Sequence, residues 1–171
     1  MKKNIIAITL MLVLLFVFSA CDSSKSGSEE KDSAPDDSIE VTFEKVFSVM
    51  IPDGFELKKD EQNIYTDSND TVITIKQVTD LDSSLKLEKQ YDAYVTSVFR
   101  GGNYAANEDW KNDHVKGRMF SGANSDNTLL VGVIFTLNDN MYSIIVENYA
   151  QDLEDEGEVG LDAIFKTIKP L

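Results

Sequence analysis

Between Thr128 and Leu137 the chain has almost no polar side chain. Leu129, Leu130, Val131, Val133, Ile134, Phe135 and Leu137 are interrupted only by Gly132 and Thr136. A strand with one face in water alternates apolar and polar residues, so a strand without a polar face needs cover on both sides. As a helix, the ten residues would rise about 15 Å, half of a hydrocarbon core of about 30 Å. The run is therefore a buried strand, and the domain must supply a layer above it and a layer below. Asn138-Asp139-Asn140 then signals a tight turn, and Met141–Val146 restarts an apolar run. The two runs pair antiparallel.

The rest of the chain supplies those layers. Phe47, Val49 and Ile51 alternate at strand spacing, Pro52-Asp53-Gly54 is a turn signal, and Phe55 and Leu57 resume the alternation, which predicts a hairpin. Asn63–Tyr65 extends it. Asp67-Ser68-Asn69-Asp70 is a second turn, and Thr71–Val78 a β-branched strand. The period then changes: Leu87, Tyr91, Tyr94, Val95, Val98 and Phe99 recur at helical spacing. Asp82, Ser83 or Ser84 can cap that helix, and Gly101-Gly102 can stop it. Glu108–Lys111 and Val115–Ser121 read as shorter strands, and Gly122–Asn127 as a polar loop. Leu161, Ile164, Phe165 and Ile168 form a short amphipathic helix. Strands, helix, strands, helix, with hairpin turns, describe an α+β fold: a twisted antiparallel sheet between helices.

The N-terminus carries different information. Lys2 and Lys3 precede an apolar run from Ile5 to Phe18, about 21 Å as a helix and too short to span a bilayer. Small residues Ser19 and Ala20 follow, then Cys21, the one cysteine among 171 residues. This is the pattern of a secretory signal segment over residues 1–20. Residues 21–38 are rich in serine and acids, with Ala34 and Pro35 as the only apolar side chains after the cysteine. Such a composition buries too little surface to offset its ordering entropy, so it reads as a disordered tether. Residues 39–171 form the globular domain. With one cysteine it has no internal disulfide and depends on core packing.

Charge narrows the partners. The formal net charge of -14 becomes -16 once Lys2 and Lys3 are removed with the leader. A surface of that sign repels nucleic-acid phosphates and anionic headgroups, so nucleic-acid binding and electrostatic docking on a bilayer are not expected.

Two resemblances rest on particular residues. Phe18-Ser19-Ala20-Cys21 resembles the lipobox of bacterial lipoproteins. That resemblance implies a diacylglyceryl group on the Cys21 sulfur, cleavage before Cys21, and a membrane-anchored protein on the extracytoplasmic side. Two acyl chains make a stable anchor where one is marginal. The segment FSVMIPDGF (Phe47–Phe55), the Tyr-rich helix, LLVGVIFTLNDNMYSIIV (Leu129–Val146) and IFKTI (Ile164–Ile168) are similar in order to Mog1/PsbP-like domains. The family implies an α/β/α sandwich without a shared catalytic set, whose characterised members bind other proteins or assist membrane complexes.

No catalytic or metal-ligating constellation is expected. Lipid on Cys21 would remove the only thiol. His114 is the only histidine, and neighbouring Asp113 would point to the opposite face of a strand, so general-base catalysis is not expected there. Asp67, Asn69 and Asp70 invite a calcium loop, but Val72 and Val78 stand where the loop needs Gly and Glu. Asp152, Glu154, Asp155, Glu156 and Glu158 place negative charge before the last helix, where its dipole favours it. Trp110 and Tyr104 are expected to pack rather than to form a binding patch. The function expected is a non-catalytic binding or accessory module for an envelope partner, with no cofactor. The alternative is a small-ligand or ion-binding lipoprotein with a pocket between the sheet and one helix.

Overall fold

The computed structural model describes residues 38–148 and 161–171. The signal segment, Cys21, nearly all of the tether and the acidic cluster Asp152–Glu158 lie outside the described residues, as do the side chains of Tyr104, Ala105, Leu161 and Asp162.

The strand without a polar face is central. β8 (Leu129–Leu137) pairs antiparallel with β9 (Asn140–Glu147) in the register Leu137↔Asn140 to Leu130↔Glu147. The expected tight turn is present but one residue shorter, with Asn138 and Asp139 both in the left-handed region at φ 50° and 63° and Asn140 already in β9. Around this pair a seven-stranded antiparallel sheet runs in the order β3-β4-β5-β9-β8-β7-β6. Its other members are β3 (Glu56–Leu57), β4 (Ile64–Thr66), β5 (Val72–Val78), β6 (Asn103–Lys111) and β7 (Lys116–Ala123). Asp67 makes the β4–β5 turn, accepting from the Asn69 N–H at 2.9 Å and the Thr71 N–H at 2.8 Å.

Each face of the sheet has its own core. On one side lies α1 (Leu87–Phe99), whose Tyr91, Tyr94, Val95 and Phe99 pack on Phe120, Leu130, Ile134, Met141 and Ile145. On the other, Val133, Phe135, Tyr142, Ile144 and Val146 meet a second, three-stranded sheet together with α2 (Leu161–Lys166). That sheet has the order β1-β2-β10, from β1 (Ser38–Phe43), β2 (Phe47–Pro52) and β10 (Lys169–Pro170). Phe47 sits edge-on to Phe135 and Tyr142, with ring centroids 5.2 and 5.4 Å away.

The fold is thus the expected α+β arrangement, a twisted antiparallel sheet flanked by helices, with one layer shared between a helix and a small sheet. Three local expectations are corrected. Pro52-Asp53-Gly54 does not close a hairpin: β2 pairs with β1 and β10, and the turn carries the chain across to β3 in the other sheet. The cap of α1 is Lys86, with no side-chain cap bond, because Asp82 spends its carboxylate on the Ser84 N–H and hydroxyl at 2.9 and 2.6 Å. That bonding holds the Asp82 carboxyl below its ordinary range, the Ser84 hydroxyl contributing most. The stop at the other end begins one residue early, at Arg100 with φ 50°, and Gly101 follows at φ 85°.

Candidate functional site

The interface between α1 and the sheet is apolar but for a short series of hydroxyls. Tyr94, 4% exposed, donates to the Ser143 Oγ at 2.6 Å, and the Tyr91 hydroxyl shares a hydrogen with the Thr136 Oγ1 at 2.8 Å. Burial pushes the Tyr94 phenol up to about 12, and the Ser143 bond opposes that rise in part. Burial also raises Tyr91. The Lys76 ammonium lies 5.5 Å from the Tyr94 ring centroid, within cation–π range. Nearby, the guanidinium of Arg118 reaches Asp92 at 2.8 Å and Asp109 at 3.4 Å, linking the outer side of α1 to β6 and β7. Each hydroxyl here satisfies another, and a phenol raised that far is no proton acceptor near neutrality. This is the polar stitching of a packed interface.

At the N-terminal end of α1 the cover stops and a cleft of about 460 Å³ opens. Gln77, Val78 and Thr79 come from β5 and the residue after it, Thr136 from β8, Asn140 and Met141 from β9, Asp139 from the turn between them, and Leu81, Leu87 and Gln90 from the approach to α1 and its first turn. The lining is amide, hydroxyl and hydrocarbon, with Asp139 as its one carboxylate. Its polar atoms are largely committed: Gln77 Nε2 donates to Asn140 Oδ1 at 3.1 Å, Asn140 Nδ2 to the Asn138 carbonyl at 3.0 Å, and Gln90 Nε2 to the Leu85 carbonyl at 2.7 Å. Leu87 in the lining stands 46% exposed, and Leu85, whose carbonyl Gln90 holds, stands 40% exposed.

The residues singled out by sequence do not converge on this cleft. His114 is exposed at the tip of the β6–β7 hairpin, where its backbone N–H donates to Asn112 Oδ1 at 2.8 Å. Asp67 and Asp70 belong to the β4–β5 turn. Trp110 is half-buried against the core between the two sheets. Among the described residues no group of three or more His, Cys, Asp or Glu side chains is placed to hold a metal ion.

Sequence reasoning passed over Asn112. Its Oδ1 accepts from the His114 and Val115 N–H groups, both at 2.8 Å, while its Nδ2 faces the carbonyls of Phe165, Lys166 and Ile168 at 3.3, 3.3 and 2.9 Å. One amide both shapes the hairpin turn and closes the end of α2. An Asn in the first position of a four-residue connection is the signal for the turn half of that role. Nothing local announces the other half.

No family model matches the chain, and no curated protein does. Among solved structures the chain is similar to cyanobacterial PsbP (CyanoP) from Synechocystis sp. PCC 6803. The TM-score is 0.53, over 87% of this chain and 98% of that one, at 11% identity. At that identity the likeness establishes a PsbP-like fold.

Proposed function

We propose that this chain is a lipoprotein, held by a diacylglyceryl group on Cys21 to the extracytoplasmic side of a cell membrane. Its folded domain acts as a non-catalytic accessory module that binds another protein of the envelope. The observation that carries the binding role is the cleft at the start of α1. Small solutes are held in concave pockets by a few convergent polar groups. This cleft is open, its amides are engaged within the fold, and Leu87 in its lining is half exposed to solvent. Such a surface suits the side chains of a protein partner. The PsbP-like fold supports the same reading through the family resemblance.

The test uses the full chain in its own cells, with a photoreactive residue at Gln90. Illumination is expected to yield one discrete adduct, and Leu87→Lys to reduce it at least fivefold without moving the thermal midpoint. An adduct untouched by Leu87→Lys, or none at all, overturns the cleft as the contact.

A second reading has one observation in its favour. The cleft volume falls within the range of small-molecule sites, about 300–1,000 Å³. A small-ligand or ion-binding role then predicts a compound that raises the midpoint of the wild-type chain and leaves Asn140→Ala unmoved.

A further inference from the structure

Strand edges differ in how well they resist pairing with another chain. In the large sheet, the β6 edge is broken by a register shift between Tyr104 and Ala106 and carries Glu108, Asp109 and Lys111, while β3 is two residues long. In the small sheet, β10 is two residues long and ends in Pro170. Bulges, charge, shortness and proline all discourage strand addition. β1 has none of these except Glu40. It runs six residues in unbroken register with β2, and Ile39, Val41 and Thr42 are β-branched.

The direction of its main chain follows from its neighbour. On β2 and its approach, the Met50 N–H donates to Thr167 Oγ1 at 2.8 Å and the Val46 carbonyl accepts from the Leu171 N–H at 3.0 Å. The Val46 carbonyl and the backbone groups of Ser48 and Met50 therefore turn toward β10, while the Val46 N–H closes the β1–β2 turn on the Phe43 carbonyl at 2.8 Å, and Phe47, Val49 and Ile51 turn theirs toward Phe43, Val41 and Ile39. That alternation leaves the N–H and C=O of Glu40 and Thr42 pointing away from the sheet, two residues or about 6.8 Å apart. Such a row needs an extended backbone as its partner.

Side chains define the partner further. Ile39 belongs to the inward row with Val41 and Phe43, yet is 47% exposed. Leu57, 59% exposed, is the second residue of β3 in the facing sheet, five residues after Pro52. An added strand would cover Ile39 with its own inward row. Glu40, Glu44 and Asp53 outnumber Lys45 along the β1–β2 hairpin and the turn after it, so the partner's outward row should be basic. A second copy of β1 would bring its own Glu40 and Glu44 into the pairing.

We propose that the outer edge of β1 is a strand-addition site for an extended segment of another protein, alternating apolar and basic residues. It lies on the opposite face of the large sheet from α1 and its cleft, so the two surfaces can be tested separately. The experiment measures amide hydrogen exchange of the full chain in a nonionic detergent. The probes are a nine-residue peptide alternating Lys and Val and its Glu–Val counterpart. The Lys–Val peptide is expected to slow exchange at Glu40 and Thr42 at least tenfold, and the Glu–Val peptide to leave both unchanged. Glu40→Lys, an exposed substitution, should reverse that preference, and Leu87→Lys should not affect it. The proposal is overturned by unchanged exchange at both amides, by equal effects of the two peptides, or by protection confined to the cleft. Protection that needs no peptide and grows with protein concentration identifies a second copy as the occupant and overturns it as well.

Discussion

Asn112 joins parts of the chain more than fifty residues apart, so its loss should cost more than one surface hydrogen bond. Asn112→Asp keeps the oxygen that receives the His114 and Val115 N–H groups but aims a carboxylate at the carbonyls of Phe165, Lys166 and Ile168. We expect a loss of about 2–4 kcal/mol at pH 7 in urea unfolding, partly recovered below about pH 4, where a protonated acid donates again. Tyr94 gives a second test, at the alkaline end. Its phenol is raised from 10.0 to about 12 by burial. Below pH 10 it is neutral folded or unfolded and its full contribution is present. Between about pH 10 and 12 the unfolded chain releases the proton and the folded chain keeps it, so stability falls as pH rises. Tyr94→Phe should make that fall shallower and cost about 1 kcal/mol at neutral pH by leaving the Ser143 hydroxyl without its donor. Urea midpoints from pH 8 to 12 measure both effects. Among the described residues, Tyr65, Tyr91 and Tyr142, which burial also raises, contribute to the slope that remains.

At the level of the element, the seat of α1 depends on a missing side chain. Gly132 faces Phe120 across β8 and β7, and a Cβ there would come within 2.6 Å of the Phe120 Cζ and 2.9 Å of the Ile144 carbonyl oxygen. The tip of the ring meets the glycine, and the ring packs in T-shaped pairs with Tyr94 and Phe99, centroids 6.2 and 6.1 Å away. Gly132→Ala should therefore push the ring into the helix and cost about 1–3 kcal/mol. Adding Phe120→Leu should recover part of that loss, a coupling that a double-mutant cycle of urea midpoints will measure. The β8 run itself was legible in the sequence, because seven large apolar residues in ten leave only one physical solution. So were the Asn138-Asp139 turn, the Asp67 turn and α1, each specified by neighbours along the chain. β1 was not: its outward residues Glu40 and Thr42 extend the polarity of the tether, and the following reversal uses Glu44 and Lys45 at φ 47° and 59°, residue types that do not announce a left-handed turn. The partner of β2 was misread because local turn chemistry sets a reversal of direction without choosing the sheet to which the chain returns. A pocket between the sheet and one helix was the alternative expectation, but which residues line the cleft was illegible for a related reason. Its walls come from β5, the approach to α1, β8 and β9, and meet only through tertiary packing.

For the whole molecule, the proposed location depends on Cys21 and the leader before it. Cys21→Ser should shift the full chain from the membrane fraction to a soluble or uncleaved form and abolish lipid labelling, as fractionation and mass spectrometry will report. An unchanged distribution would remove the anchor while leaving the fold intact. The domain itself has its cores on opposite faces of one sheet, and they are assembled from the chain in different ways. The α1 side draws its residues from positions 78–145, a continuous stretch. The other side needs β2 flanked by β1 and β10, strands drawn from opposite ends of the described chain. During synthesis, with the N-terminus leading, the α1 half can assemble before the chain is finished. The remaining aromatic layer stays unlocked until Ile164, Phe165, Ile168 and Pro170 emerge. A chain built in this order commits to its final shape only when its last residues join the first strands.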